Sequence, residues 1–349
     1  MTDDVIIAKA GSVGRITLNR PKALNALNQD MVEAMTKALL EWRDDASVKA
    51  VVVDGEGEKG FCAGGDIRML AESGKAGDGR AWTFWRDEYR LNTLIEEYPK
   101  PYVALIDGVT MGGGVGISVH GEFRVAGDKT LFAMPETGIG FHPDVGGAYF
   151  LPRLSGELGT WMGLTGARLK TADCIATGVA THYVPSERFG ELIHALEHEN
   201  LDDQGDRIDA LLDGFGGDAR DSDLGVRGAL IDAAFAGDDV GEIRKRLAEA
   251  GDAWSEKQAS ILNTKSPTSL AVTLAALRQG ANLSFREVMV QDLRVSSRFL
   301  DEGSDFYEGV RAVILDKDNN PQWGEPASGD QVEGYFKPLP EGQDMTFLD

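Results

Sequence analysis

Short apolar segments alternate with longer helical segments through the first 110 residues of the chain. The apolar runs at residues 50–53 and 102–106 have the length and continuity of buried strands. Each follows a segment with apolar side chains at helical spacing, residues 28–43 and 82–98, and Asn28 is placed as an N-cap. Strands that alternate with helices in this way predict an α/β fold.

The two ends of the chain differ in character. Residues 5–8 and 15–18 flank a Gly-Ser turn and predict a β-hairpin. From about residue 186 strand signals fade, and helical patterns appear at residues 243–250, 269–278 and 285–299. We therefore expect a strand-rich region over residues 1–185 and a mainly helical region over residues 186–349. The Gly- and Asp-rich residues 213–223 predict a mobile surface loop.

Composition excludes several classes of function. Lys and Arg number 35 against 57 Asp and Glu, a net charge of −22, so nucleic acid is not an expected partner. No apolar run approaches the roughly 18 residues of a membrane helix. Two cysteines, Cys62 and Cys174, are too few for a disulfide scaffold, and the histidines lack metal-ligand spacing, so no metal is expected. The first residues are acidic and polar, which predicts a cytoplasmic protein without a targeting peptide.

Three glycine-rich segments follow or bracket predicted strands, at residues 61–68, 108–116 and 138–147, and the first two come directly after the two apolar runs. Glycine lets a ligand approach main-chain N–H groups closely, and the second segment is expected to open a short helix. Two converging N–H donors would form an oxyanion hole for an acyl carbonyl. Tight turns are the alternative explanation. Neither a Walker A loop nor a dinucleotide fingerprint matches the glycine spacing.

Two carboxylates lie at the third glycine segment. Glu136 precedes it and Asp144 lies within it, both beside apolar residues that could bury them and raise their pKa values. Capping and Asx-turn roles are the structural alternatives. Ser118 with His120, or Cys62 alone, would be other nucleophiles, but no nucleophile-elbow pattern surrounds Ser118.

Residues 19–27, 61–67 and 111–114 resemble signature segments of the crotonase (enoyl-CoA hydratase/isomerase) superfamily. The resemblance implies a spiral of repeated ββα units with a helical C-terminal region. It also implies an acyl-CoA substrate, no cofactor beyond the CoA carried by that substrate, and possible assembly into a homo-oligomer.

A closer resemblance, to the 3-hydroxyisobutyryl-CoA hydrolases of that superfamily, extends over about residues 5–325. It is carried by residues 134–137, 141–147 and 305–312. Gly116 stands where hydratases of the superfamily carry the first of two glutamates, and Glu136 matches the second. The resemblance thus implies thioester hydrolysis, in valine breakdown, rather than hydration.

The resemblance also implies roles for individual residues. The N–H groups of Ala63 and Gly113 would hold the thioester oxygen, and Glu136 would attack the carbonyl or activate water. Asp144 would hold the substrate hydroxyl or assist Glu136. The remaining expected substrate contacts are Glu88, Gly64, Gly65, Asp66, Lys22 and Lys317.

Two other functions are alternatives to hydrolysis. A hydratase or isomerase of the same superfamily would consume the enoyl absorbance of crotonyl-CoA. A catalytically silent acyl-CoA-binding protein would bind acyl-CoA tightly without turnover, since a fold alone does not guarantee chemistry.

Overall fold

The computed structural model describes residues 2–201 and 205–348 of the chain. The strands are β1 (Val5–Ala10), β2 (Val13–Leu18), β3 (Ala50–Gly55), β4 (Gly60–Cys62), β5 (Tyr102–Leu105), β6 (Val109–Met111), β7 (Phe123–Ala126), β8 (Leu131–Ala133), β9 (Leu169–Lys170) and β10 (His182–Tyr183). The helices are α1 (Gln29–Arg43), α2 (Ile67–Ala76), α3 (Arg80–Glu96), α4 (Gly113–Gly116), α5 (Gly147–Phe150), α6 (Leu158–Thr165), α7 (Thr171–Thr177), α8 (Phe189–His198), α9 (Asp206–Phe215), α10 (Leu224–Phe235), α11 (Val240–Ala250), α12 (Ala253–Asn263), α13 (Pro267–Gly280), α14 (Phe285–Arg298), α15 (Asp305–Val310) and α16 (Gly329–Tyr335).

Consecutive strands divide between two sheets. One sheet has the order β1-β2-β3-β5-β7-β10 and the other the order β4-β6-β8-β9. Each of the pairs β3/β4, β5/β6 and β7/β8 therefore sends its first strand to one sheet and its second to the other. Helical turns follow each pair: α2 and α3, then α4, then the 3-10 helix Glu136–Ile139. This arrangement is the expected spiral of ββα units.

Local sequence signals explain the first elements. β1 and β2 pair antiparallel around the predicted turn, which confirms the hairpin. Asn28 caps α1, because its side-chain oxygen accepts the Met31 N–H at 2.9 Å. The apolar stripe of α1 turns inward and includes Met35, Leu39 and Trp42 among its buried residues.

Helices dominate the rear of the chain, as predicted. Beyond β10, the described residues form helices and loops without a further strand. The predicted surface loop is shorter than expected, because residues 213–215 close α9 and only residues 216–223 connect it to α10.

One hydrophobic core joins the front and rear regions. The ring of Phe141 lies 5.5 Å from that of Trp85, and 5.3 Å from those of Phe299 and Phe306. A loop of the spiral is thus enclosed by aromatic residues from α3, α15 and the end of α14. The proposed boundary at residue 185 stays a prediction.

The end of the chain packs across α3 and α14. The Trp82 indole N–H donates to the Gln343 carbonyl at 3.1 Å, and Arg90 Nε donates to the Thr346 carbonyl at 2.7 Å. Arg294 on α14 pairs with Asp344. These contacts hold the end of the chain against α14 and against α3, whose residues line the site described next.

Candidate active site

A cavity of about 80 Å³ lies where the three glycine-rich loops meet. Seven of the predicted site residues line it: Ala63, Gly64, Gly65, Glu88, Gly113, Glu136 and Asp144. Apolar side chains complete the wall, among them Phe84, Trp85 and Phe141. Larger surface grooves of about 560 and 530 Å³ lie elsewhere. Convergence of polar groups in an apolar pocket, rather than volume, identifies the small cavity as the candidate site.

Three carboxyl groups are buried around this cavity. Glu88 is 2% exposed, and Glu136 and Asp144 are each 5% exposed. Desolvation, and after it the charge of Asp144, raises the pKa of both Glu88 and Glu136 well above the usual value. Desolvation also raises the pKa of Asp144, to about 7, against a hydrogen bond from Tyr89 that lowers it. Because the three groups interact, the first proton to leave disfavours loss of the others.

Glycines in the second loop let two of these carboxyl groups approach the backbone. A Cβ at position 112 would lie 3.3 Å from Glu136 Oε1, and one at position 113 would lie 2.5 Å from Glu88 Oε1. Gly112 also has φ 49°, in the left-handed region that favours glycine. As predicted, this loop opens a helix, α4, whose first turn faces the cavity.

The prediction that the Ala63 N–H belongs to the oxyanion hole is wrong. That N–H already donates to the Leu24 carbonyl at 3.0 Å, so it is not available to a ligand. By contrast, the N–H groups of Gly65 and Gly113 have no acceptor among residues 2–201 and 205–348. The two loops are in contact here, since a Cβ at Gly113 would lie 3.3 Å from the carbonyl carbon of Gly64.

Three predicted CoA contacts lie outside the cavity wall. Asp66 is the N-cap of α2, where its side chain accepts the Met69 N–H at 3.2 Å. Lys22 and Lys317 are exposed surface residues. None of the three lines the cavity.

The space beside Gly116 is filled. A Cβ at this position would lie 2.7 Å from Val145 Cβ and 2.8 Å from Asn92 Nδ2. Contacts below 3.0 Å require the neighbours to move, and both neighbours are buried. The chain therefore lacks the hydratase glutamate and has no room for a side chain in its place.

The structure adds two residues that sequence reasoning missed. The Tyr89 hydroxyl donates to Asp144 Oδ2 at 2.7 Å. Lys265 Nζ lies 3.2 Å from where a Cβ at Gly138 would be, and its charge opposes the rise in the pKa of Glu136. Tyr89 directly follows the predicted Glu88, which is a weak signal. No local signal connects Lys265 with Glu136.

The alternative nucleophiles are occupied or inert. Ser118 Oγ donates to the Gly114 carbonyl at 2.7 Å, and His120 Nε2 contacts the Val145 carbonyl at 2.7 Å, so the two do not form a catalytic pair. Burial raises the pKa of the Cys62 thiol to about 12. Within the described ranges, no His/Cys/Asp/Glu cluster could hold a metal ion, and no helix is long and apolar enough to cross a membrane.

The chain matches the enoyl-CoA hydratase/isomerase family over residues 13–335. It is 49% identical to a zebrafish (Danio rerio) protein named 3-hydroxyisobutyryl-CoA hydrolase, mitochondrial, over 92% of this chain and 85% of the relative. The human protein of the same name is 43% identical over 97% and 89%. The mitochondrial names of these relatives contradict the expected cytoplasmic location. Composition and the first residues did not reveal the compartment.

Solved structures confirm the fold class. A structure titled carnitinyl-CoA dehydratase, from Mycobacterium thermoresistibile, has a TM-score of 0.92 and 41% identity over 99% of both chains. One titled enoyl-CoA hydratase, from Rhodobacter sphaeroides, has a TM-score of 0.89 and 40% identity over 99% of this chain and all of that one. The relatives thus carry names for different reactions on one fold. The chain belongs to the enoyl-CoA hydratase/isomerase family.

Proposed function

We propose that the protein hydrolyses the thioester of 3-hydroxyisobutyryl-CoA, releasing 3-hydroxyisobutyrate and CoA. The observation that carries the proposal is the filled space at Gly116 beside a retained Glu136 and Asp144. Hydration of a double bond needs a pair of acid and base groups. Position 116, where the first of the pair would stand, has no room for a side chain. The hydrolase names of the curated relatives support the same choice over the dehydratase and hydratase titles.

The proposed oxyanion hole consists of the Gly65 and Gly113 N–H groups. Both are free of other acceptors in the described part of the chain, and their loops touch. Such donors stabilise the negative charge that develops on the thioester oxygen as the carbonyl carbon becomes tetrahedral. Loss of one donor of this kind costs roughly 10²- to 10³-fold in turnover.

Glu136 and Asp144 divide the proton transfers between them. One carboxylate attacks the carbonyl carbon or removes a proton from the attacking water. The carbon–sulfur bond then breaks, and the departing thiolate receives a proton. If the carboxylate itself attacked, water then hydrolyses the resulting anhydride, which releases the acid and regenerates the carboxylate. Because the charge of Asp144 raises the pKa of Glu136, the pair holds one proton most readily near neutral pH. Glu88 and Asp144 are the proposed contacts for the substrate hydroxyl.

The test is thiol release from 3-hydroxyisobutyryl-, 3-hydroxypropionyl-, crotonyl- and acetyl-CoA, with the native protein and Glu136→Gln. We expect fast release from the 3-hydroxyacyl pair and near-complete loss in the variant. Glu256→Gln, at an exposed position of α12, is the matched control. Release above about a tenth of the native rate in Glu136→Gln would remove Glu136 from its role.

Two outcomes would replace the proposal. Loss of enoyl absorbance from crotonyl-CoA without thiol release would establish a hydratase. Tight binding of acyl-CoA with no turnover of any substrate would establish a silent binding protein. Self-association into a homo-oligomer and a place in valine breakdown stay predictions.

A further inference from the structure

A chain of three buried side chains ends on Asp144. The Tyr89 hydroxyl lies 2.7 Å from Asp144 Oδ2 and 2.7 Å from Ser296 Oγ. Ser296 Oγ in turn lies 2.9 Å from His142 Nε2. Tyr89, Ser296 and His142 are each fully buried, so no solvent competes for these hydrogen bonds.

The donors in this chain have one consistent direction when Asp144 is ionised. A carboxylate only accepts, so Tyr89 gives its single hydroxyl hydrogen to Asp144. The Tyr89 oxygen must then accept from Ser296, whose only hydrogen is thereby used. Ser296 Oγ can accept only from an N–H, so His142 must carry its proton on Nε2. Burial lowers the pKa of His142 to about 3, which keeps the ring neutral.

We propose that His142, Ser296 and Tyr89 are positioning residues, and that their aligned hydrogen bonds select Asp144 as the ionised carboxyl group of the active site. The catalytic consequence of this inference rests on the proposed thioester hydrolysis. The direction of the hydrogen bonds is independent of that function. Successive bonds that point the same way strengthen one another in a buried site.

The other acids that face Asp144 lack such a chain. Glu88 Oε1 and Glu136 Oε2 have no hydrogen-bond partner in the described structure. Asp292, on α14, accepts the Gly146 N–H at 2.9 Å, but its Oδ1 is buried without a partner there. His120 is a further titratable group beside this loop; it contacts the Val145 carbonyl, and burial lowers its pKa to about 4. Asp144 is therefore the carboxyl group best stabilised as an anion.

The first test reads the tautomer of His142 in the native protein by ¹⁵N NMR at pH 8.5. The signal is assigned by its loss in His142→Gln. We expect the Nε2–H tautomer, with Nδ1 unprotonated. A proton on Nδ1, or an imidazolium ring, would overturn the proposed direction of the chain. This measurement needs no catalytic activity and no variant other than the one used for assignment.

The second test compares Ser296→Ala with Ser297→Ala, its neighbour on α14, whose hydroxyl donates to the Leu293 carbonyl instead. Loss of the Ser296 hydroxyl weakens the Tyr89 donor, so the acid limb of kcat/KM for thiol release should move up by about half a unit to one unit. Ser297→Ala should leave the limb in place. If the acid limb of kcat/KM lies at the same pH in both variants, the proposal is overturned. If even the native protein releases no thiol, the proposed hydrolase function is wrong. The tautomer of His142 then still shows whether the hydrogen bonds run in the proposed direction.

Discussion

The amide of Asn92 occupies the space into which a side chain at Gly116 would extend, with Nδ2 2.8 Å from the position of Cβ. Gly116→Glu should therefore not restore a hydratase. We expect a loss of about 2 to 4 kcal/mol in the free energy of unfolding, because overpacking combines with a buried carboxyl group. Urea denaturation measures the loss of stability, and the absorbance of crotonyl-CoA measures any hydratase activity.

Gly225→Glu is the control for that substitution. Gly225 is exposed in the first turn of α10, and a Cβ there would meet nothing within 4 Å. A glutamate near a helix N-terminus is favourable, so stability should stay the same or rise slightly. If Gly116→Glu hydrates crotonyl-CoA and is as stable as the native protein, Asn92 and Val145 must move aside. That outcome would reopen the hydratase interpretation.

Asp144→Asn should stabilise the protein at alkaline pH. The folded state raises the pKa of Asp144 from 3.8 to about 7, so folding favours the protonated form. The native protein therefore loses stability as pH rises from about 4 through about 7, and the uncharged variant escapes this loss. We expect an advantage of about 2 to 4 kcal/mol at pH 8.5 that shrinks toward pH 4. Denaturant unfolding at both pH values measures it, and equal advantages at the two would contradict the burial argument.

Substitutions at Asp66 can distinguish a role in helix capping from a role in substrate contact. Asp66→Ala removes the cap of α2 and should cost about 1 kcal/mol of stability. Asp66→Ser keeps a capping oxygen but removes the charge. If Asp66 only caps, Asp66→Ser should match the native KM and stability. A raised KM in Asp66→Ser at native stability would instead support the predicted contact with CoA.

Lys265→Met should shift the pH dependence of turnover. The positive charge of Lys265 lowers the pKa of Glu136, so its removal makes the carboxyl group harder to ionise. We expect the limb of the kcat profile that Glu136 controls to move to higher pH by about half a unit to one unit. Lys265→Arg, which keeps the charge, should retain most of the native profile. A uniform loss across all pH values would indicate a structural role for Lys265 instead.

Sequence patterns predicted the local parts of this molecule well. The hairpin, the Asn28 cap, the helix that opens at Gly113 and the burial of Glu136 and Asp144 each follow from neighbouring residues. The error at Ala63 has a different origin. Which N–H of a glycine loop is free depends on where the backbone turns, and here the Leu24 carbonyl takes the Ala63 N–H.

Long-range partners were also out of reach of local patterns. Lys265 lies in the loop between α12 and α13, and Ser296 lies on α14; neither local pattern indicates a distant carboxyl group. Packing of α14 against α3 brings Ser296 to Tyr89, and no spacing within either helix encodes that contact. The same limit explains Asn92, whose role depends on the neighbour it meets at Gly116.

The dependence of the Asp144 loop on α14 has a consequence for how the protein is made. His142 and Ser296 are 154 positions apart, so a ribosome finishes the glycine loops long before it supplies their hydrogen-bond partner. Until α14 docks, Tyr89 and His142 lack the Ser296 hydroxyl that joins them. The nascent chain therefore carries every glycine loop of the active site before its hydrogen-bond chain is complete, and full activity should wait for the synthesis of α14.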